Sequence, residues 1–121
     1  MVEIWNTVTH NEKGKVILHR FASAAPVIKA KEYWLTQFSG NYKREATLNE
    51  ERLSEGVKIL DSKLGIRAHQ MRIPSFILSL NGPAKENKGE VLAASLRWSG
   101  SFQFAFDVDW NKNLRLLTGM N

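Results

Sequence analysis

Apolar and polar residues alternate along most of the chain with a period of two. That is the pattern of half-buried strands, whose successive side chains point to opposite faces of a sheet. Val2, Ile4 and Val8 alternate with polar neighbours, residues 11–14 have turn composition, and Val16 and Leu18 resume the alternation over residues 15–22. These two runs predict a first hairpin. Further strands are predicted at residues 25–30, 33–38, 42–47, 57–61, 66–71 and 76–80. Gly40, Gly56, Gly65 and the cluster Asn81, Gly82 and Pro83 punctuate them.

Towards the C-terminus, residues 90–98 and 101–109 flank Ser99 and Gly100, a pair suited to a two-residue hairpin turn. In that register Phe102 faces Arg97, Phe104 faces Ser95, Phe106 faces Ala93 and Val108 faces Val91. Large residues then lie against small ones on one face, which marks it as core. The opposite face sets Leu92, Ala94, Leu96 and Trp98 against Gln103 and Ala105 and is also largely apolar, so a second layer is expected. One stretch competes. Thr47 and Glu50 fit a capping box, and Leu48, Leu53, Val57, Leu60 and Leu64 would line a helix. Gly56 in its middle costs about 1 kcal/mol relative to alanine, and the flanking alternation favours strands. The expected fold class is an all-β, antiparallel β-sandwich, with residues 1–121 as a single domain.

Composition narrows the function classes. A chain of 121 residues can bury about two thirds of its unfolded surface in one core, and 43% hydrophobic with 24% charged residues is ordinary for a globular domain. No run approaches the roughly 20 apolar residues of a membrane span, and the first residues lack the pattern of a secretion signal, so no membrane partner is expected. Cysteine is absent, which excludes disulfides and thiolate chemistry and suits a reducing cytoplasm, the expected location. The net charge is +5, yet Lys and Arg are scattered from Lys13 to Arg115 with no basic run longer than Lys43 and Arg44. Scattered charge is a solvated surface, and no nucleic-acid partner is expected.

The search for chemistry turns up little. His10, His19 and His69 form no HExxH pair and share no carboxylate at metal-ligand spacing, so neither metal nor cofactor is expected. Ser99 lacks the GxSxG elbow of an exposed nucleophile. Asp107 and Asp109, two apart on a strand, would lie about 6–7 Å apart, near the separation of glycosidase carboxylates. Their place opposite the Phe102, Phe104 and Phe106 stripe instead suggests a solvated acidic rim, and no catalytic residue is assigned. Trp5, Trp34, Trp98 and Trp110 could stack on sugar rings or bases, though most are expected in packing. Trp110, beside Asn111, Lys112 and Asn113 in a predicted turn, is the candidate for exposure and for contact with carbohydrate or another domain.

Several longer stretches carry a family resemblance. YWLTQFSGNYKREATLNEERLSEG at residues 33–56, SKLGIRAHQ at 62–70, PSFILSL at 74–80 and GEVLAASLRWSGSFQFAFDVD at 89–109 occur in this order, and LLTGMN closes the chain. In order and spacing they resemble the N-terminal domain of α-galactosidases of glycoside hydrolase family 36. The resemblance implies a β-supersandwich of the galactose mutarotase-like kind, of which this chain is an internal slice, ahead of a (β/α)₈ catalytic barrel and a smaller C-terminal β domain. It implies hydrolysis of terminal α-linked galactose, as in melibiose and raffinose, by a retaining double displacement whose two Asp residues both lie in the barrel. Partners would be that barrel and further copies in a homo-oligomer, with galactoside reached only through the parent enzyme. Ser101 departs from the family, where many members have Asn after the Ser-Gly turn. Two other classes stay in view: a free-standing carbohydrate-binding module, and a small basic β protein for single-stranded nucleic acid, against which the dispersed charge argues. A slice of a sandwich would also leave unpaired strand edges, which favour dimerisation or strand exchange.

Overall fold

Strands make up all the elements of regular structure among the residues that the computed structural model describes, which are 1–19, 21–41, 43–65 and 72–120. In chain order they are β1 (Phe21–Ala24), β2 (Val27–Lys29), β3 (Tyr33–Asn41), β4 (Arg44–Arg52), β5 (Gly56–Ser62), β6 (Arg72–Lys85), β7 (Lys88–Ser95), β8 (Phe102–Val108) and β9 (Asn113–Met120). They form two antiparallel sheets. One runs β4-β3-β6-β7, and the other runs β1-β9-β8-β5 with β2 pairing further along β9. This is the all-β antiparallel sandwich that the alternation predicts. No helix among the described residues is long and apolar enough to cross a membrane.

The core lies where the inward residues of β3 and β6 meet those of β8 and β9. Tyr33, Leu35, Phe76 and Leu78 are buried on one side, and Phe102, Phe104, Phe106, Val108, Leu114 and Leu116 on the other. Phe76 sits edge-on to both Phe104 (centroids 5.1 Å apart, rings at 72°) and Phe106 (4.9 Å, 88°). Such aromatic pairs add about 0.5–1.5 kcal/mol beyond their buried area. One flank of the sandwich is tied by the Lys58 Nζ to Glu51 Oε1 ion pair at 2.8 Å, between the edge strands β5 and β4. Being half exposed, it contributes well under about 1 kcal/mol.

Pairing partners differ from the expected ones in two places. Residues 90–98 and 101–109 do not form a hairpin: β7 pairs with β6, while β8 lies between β5 and β9 in the other sheet. Phe104, expected opposite Ser95, lies between Leu60 and Thr118, and Phe106 lies between Lys58 and Leu116. The Phe stripe faces the core as expected, but on β7 the core side is Ala94 with Leu96 beyond the strand end, not Val91, Ala93 and Ser95. The cause is local. Trp98 folds its ring over Gly100, where a Cβ would stand 2.7 Å from Nε1, and donates Nε1–H to the Ser101 carbonyl at 3.0 Å. This compact corner carries the chain across to the second sheet rather than back along the first.

The predicted first hairpin is also absent. Residues 1–19 are exposed and belong to no strand, with bends only at 13 and 14, and among the described residues pairing begins at Phe21 opposite Met120. Strand β9 was not foreseen, and the predicted strand at 66–71 lies outside the described residues. The helix competing over Thr47 to Leu64 does not form: β4 and β5 occupy that stretch, and Gly56, at φ 115°, opens β5. Asn81 and Gly82, with φ of 63° and 136°, make an irregularity within β6 instead of ending it. Because the Phe76 ring joins both sheets, Phe76→Ala is expected to cost about 3–5 kcal/mol, read as a fall in the denaturant midpoint.

A candidate contact surface at the Trp110 turn

The β8–β9 turn is built around one carboxylate. Asp109 Oδ1 accepts the backbone N–H groups of Asn111 (2.9 Å) and Asn113 (2.8 Å), and Oδ2 accepts the Asn113 side-chain amide at 2.7 Å. Backbone hydrogen bonds from Asp109 N to Asn113 O (2.9 Å) and from Lys112 N to Asp109 O (3.1 Å) close the loop, with Lys112 at φ 62°. The Asn113 side chain and then its N–H, helped by Asn111 N–H and the Lys29 charge, hold the Asp109 carboxyl below its ordinary value. At the tip stands Trp110, 80% exposed. The expected exposure of this residue is therefore what the structure shows.

Tyr33 ties this turn to the core. Its hydroxyl accepts the Ala30 N–H at 2.8 Å and lies 2.9 Å from the Ile28 carbonyl and 2.8 Å from that of Lys112, donating to one at a time. Burial pushes the phenol above its ordinary value. The Tyr33 carbonyl in turn accepts the N–H of Leu53 at 2.9 Å. One residue thereby positions both walls of an open cleft of about 280 Å³ lined by Arg52, Leu53, Ser54, Glu55 and Lys112. Arg52 leans on Glu32 (Nη2 to Oε2, 3.1 Å), which also accepts the Trp34 Nε1–H at 3.3 Å. The cleft offers hydroxyl, ammonium and carboxylate groups beside an aromatic turn, a combination suited to holding a polar ligand or another surface.

The remaining sequence candidates are dispersed. Asp107 is bound to Arg115 Nη2 at 2.6 Å and Asp109 is engaged by its turn, so the two carboxylates hold structure from partly exposed positions at the strand end. His10 and His19 are exposed in the unpaired N-terminal segment, and His69 lies outside the described residues. Among the described residues no group of three His, Cys, Asp or Glu side chains could hold a metal. Ser99 is an exposed bend residue, and Ser101 Oγ accepts the Gly65 N–H at 3.2 Å. Trp5 is exposed, Trp34 is half-buried, and Trp98 packs its corner. Sequence reasoning missed Tyr33, Arg52 and Glu55. Their only sequence signal was an aromatic opening a predicted strand and charges at a predicted strand boundary.

A family model described as the Glycosyl hydrolase family 36 N-terminal domain matches residues 1–121. The chain belongs to this family. The resemblance carried by residues 33–56, 62–70, 74–80 and 89–109 is thereby borne out. Alpha-galactosidase AgaA of Geobacillus stearothermophilus is 29% identical over 125 residues, covering 98% of this chain and 17% of that protein. Alpha-galactosidase Mel36A of Lactobacillus acidophilus is 26% identical over 112 residues, covering 93% of this chain and 15% of that one. The crystal structure of the α-galactosidase from Lactobacillus brevis superposes with a TM-score of 0.74 at 30% identity, over 83% of this chain and 13% of its own. The family 36 domain described here thus spans under a fifth of the length of the relatives it matches.

Two outcomes follow from the turn of this family 36 domain. Tyr33→Phe leaves the buried Ala30 N–H without its acceptor and is expected to cost about 1–3 kcal/mol, measured by equilibrium unfolding. A carboxyl lowered in the folded state stabilises above its unfolded value, and that contribution is lost as pH falls through the folded one. Unfolding midpoints taken below pH 3.8, the unperturbed value, are expected to fall less steeply for Asp109→Asn than for the parent chain.

Proposed function

We propose that this chain is a non-catalytic structural segment of an α-galactosidase that removes terminal α-linked galactose from oligosaccharides such as melibiose and raffinose. In this reading it is one domain, an internal slice of the enzyme's N-terminal sandwich. It supports a catalytic barrel elsewhere in the polypeptide and makes subunit contacts in a homo-oligomer. The observation that carries the reading is the family 36 N-terminal match over residues 1–121, set beside the 15–17% of each α-galactosidase relative that the chain covers. The state of the carboxylates agrees: Asp107 and Asp109, the pair nearest to glycosidase spacing, are engaged by Arg115 and by the turn. The chemistry is then supplied by the barrel's own Asp residues.

Exposure of Trp110 favours a second reading, a stand-alone carbohydrate-binding module with that ring as its platform. Hydrolysis of a chromogenic α-galactoside separates the two. This chain alone is expected to be inert, and a longer polypeptide carrying it ahead of a barrel is expected to turn over. Turnover by the chain alone would sink the non-catalytic role, and inertness of both would sink the α-galactosidase reading. Trp110→Ala is expected to change the unfolding free energy by no more than about 0.5 kcal/mol while weakening whichever contact the turn makes. Loss of galactoside binding by the isolated variant would select the module, and slower turnover or weaker assembly of the longer protein would select a domain contact.

A further inference from the structure

Asn81 is followed by Gly82, and no other asparagine in the sequence precedes a glycine. The pair matters chemically, because glycine has no side chain to keep the preceding amide away from its nitrogen. When the Gly82 nitrogen loses its proton and attacks Cγ of Asn81, the new N–Cγ bond closes a succinimide ring and the side-chain nitrogen leaves as ammonia. Water then opens the ring at either carbonyl, and residue 81 becomes aspartate or its isoaspartyl isomer, whose main chain runs through Cγ. Water and base suffice for both steps. The fold holds Asn81 away from this reaction. The residue lies just beyond Leu80, where the pairing of β6 with β3 ends and its ladder to β7 breaks until Lys85. Asn81 N–H donates to the Glu32 carbonyl at 2.9 Å, and Asn81 Oδ1 accepts the Lys31 N–H at 2.9 Å. Its φ of 63° is in the left-handed region, which at ψ of about +47° turns the following nitrogen away from Cβ. To bring Cγ onto the Gly82 nitrogen, the amide must release Lys31 and the backbone must rotate out of that region.

We infer that Asn81 is a latent self-modification site, shut by its hydrogen bonds to Lys31 and Glu32 and opened by local release of that segment, not by unfolding of the sandwich. Such local openings cost less than global unfolding where few buried contacts are lost. Lys31 and Glu32 lie between β2 and β3, outside both strands, and Asn81 is exposed, so release leaves Phe76 and Leu78 in place further along β6. The products reach the cleft. Glu32 Oε1 lies 3.6 Å from the place that a Cβ on Gly82 would take, and Glu32 Oε2 holds Arg52, which lines the cleft wall. An aspartate at residue 81 keeps an acceptor for Lys31 but sets a like charge near Glu32. An isoaspartyl residue lengthens the main chain between Leu80 and Gly82, so the two hydrogen bonds to Lys31 and Glu32 no longer fall in register.

The deciding experiment incubates the chain at mildly alkaline pH, folded and in urea, and maps peptides for amide-to-acid conversion and isoaspartate at residue 81. In urea, conversion at Asn81 is expected ahead of every other asparagine. In the folded chain it is expected to be slower by about tenfold or more, that is, by about 1.4 kcal/mol of opening. Tyr33→Phe, which frees the Ala30 N–H next to Lys31, is expected to raise the folded rate severalfold and leave the rate in urea unchanged. Phe76→Ala, which weakens the core away from the segment, is expected to leave the folded rate unchanged under conditions where that variant is still folded. Equal rates in the folded chain and in urea would overturn the inference, as would absence of conversion in urea. So would a Tyr33→Phe rate equal to the parent's, or a Phe76→Ala rate raised above it.

Discussion

The two sheets hold together through the seat of the Phe76 ring between Phe104 and Phe106. Each sheet alone has an apolar face that water would leave uncovered, and two such faces pack about 10 Å apart only if side chains interdigitate. Phe76 reaches from β6 to two successive inward positions of β8, and both contacts are edge-to-face. Strand β8 is central in its own sheet, flanked by β5 and β9, so this one contact spreads load across both layers. Tyr33, Leu35 and Leu78 on one side and Leu60, Leu114 and Leu116 on the other fill the space around it.

The surface around Trp110 depends on that core through Tyr33. A tyrosine suits the position because its ring belongs to the apolar layer while its hydroxyl reaches the rim, where Ala30, Ile28 and Lys112 need a partner. Its main chain holds Leu53 from the other side, so one residue ties both cleft and turn to the sandwich. The charged residues nearby are mostly committed to each other: Arg52 to Glu32, Asp107 to Arg115, and Asp109 to its own turn.

The free edges show a second constraint. A sheet must end somewhere, and the rims here end in bulges, breaks or charge. Strand β7 opens on Lys88, Gly89 at φ 128° and Glu90, and further along it Leu92 and Ala94 are the cross-strand companions of the buried Leu78 and Phe76.

Most strand positions between β2 and β8, the core-facing Phe stripe of β8 and the exposure of Trp110 were legible from the chain itself, because the two-residue period and turn composition are local properties; the first predicted hairpin and β9 were not. The family was legible as well, from the order of four stretches. The partners of each strand were not. Alternation says which face a residue takes but not which strand lies beside it, and the corner at Trp98 and Gly100, made by a ring folding over a glycine, turned an expected hairpin into a crossover. The cleft was equally hidden, since Lys112 meets residues 52–55 only through the hydrogen bonds of Tyr33. Sequence by itself determined an all-β sandwich of family 36 with an exposed tryptophan turn. Tertiary structure alone decided pairing, rim and cleft, because those rest on contacts between residues far apart in the chain, whose energies no local pattern records.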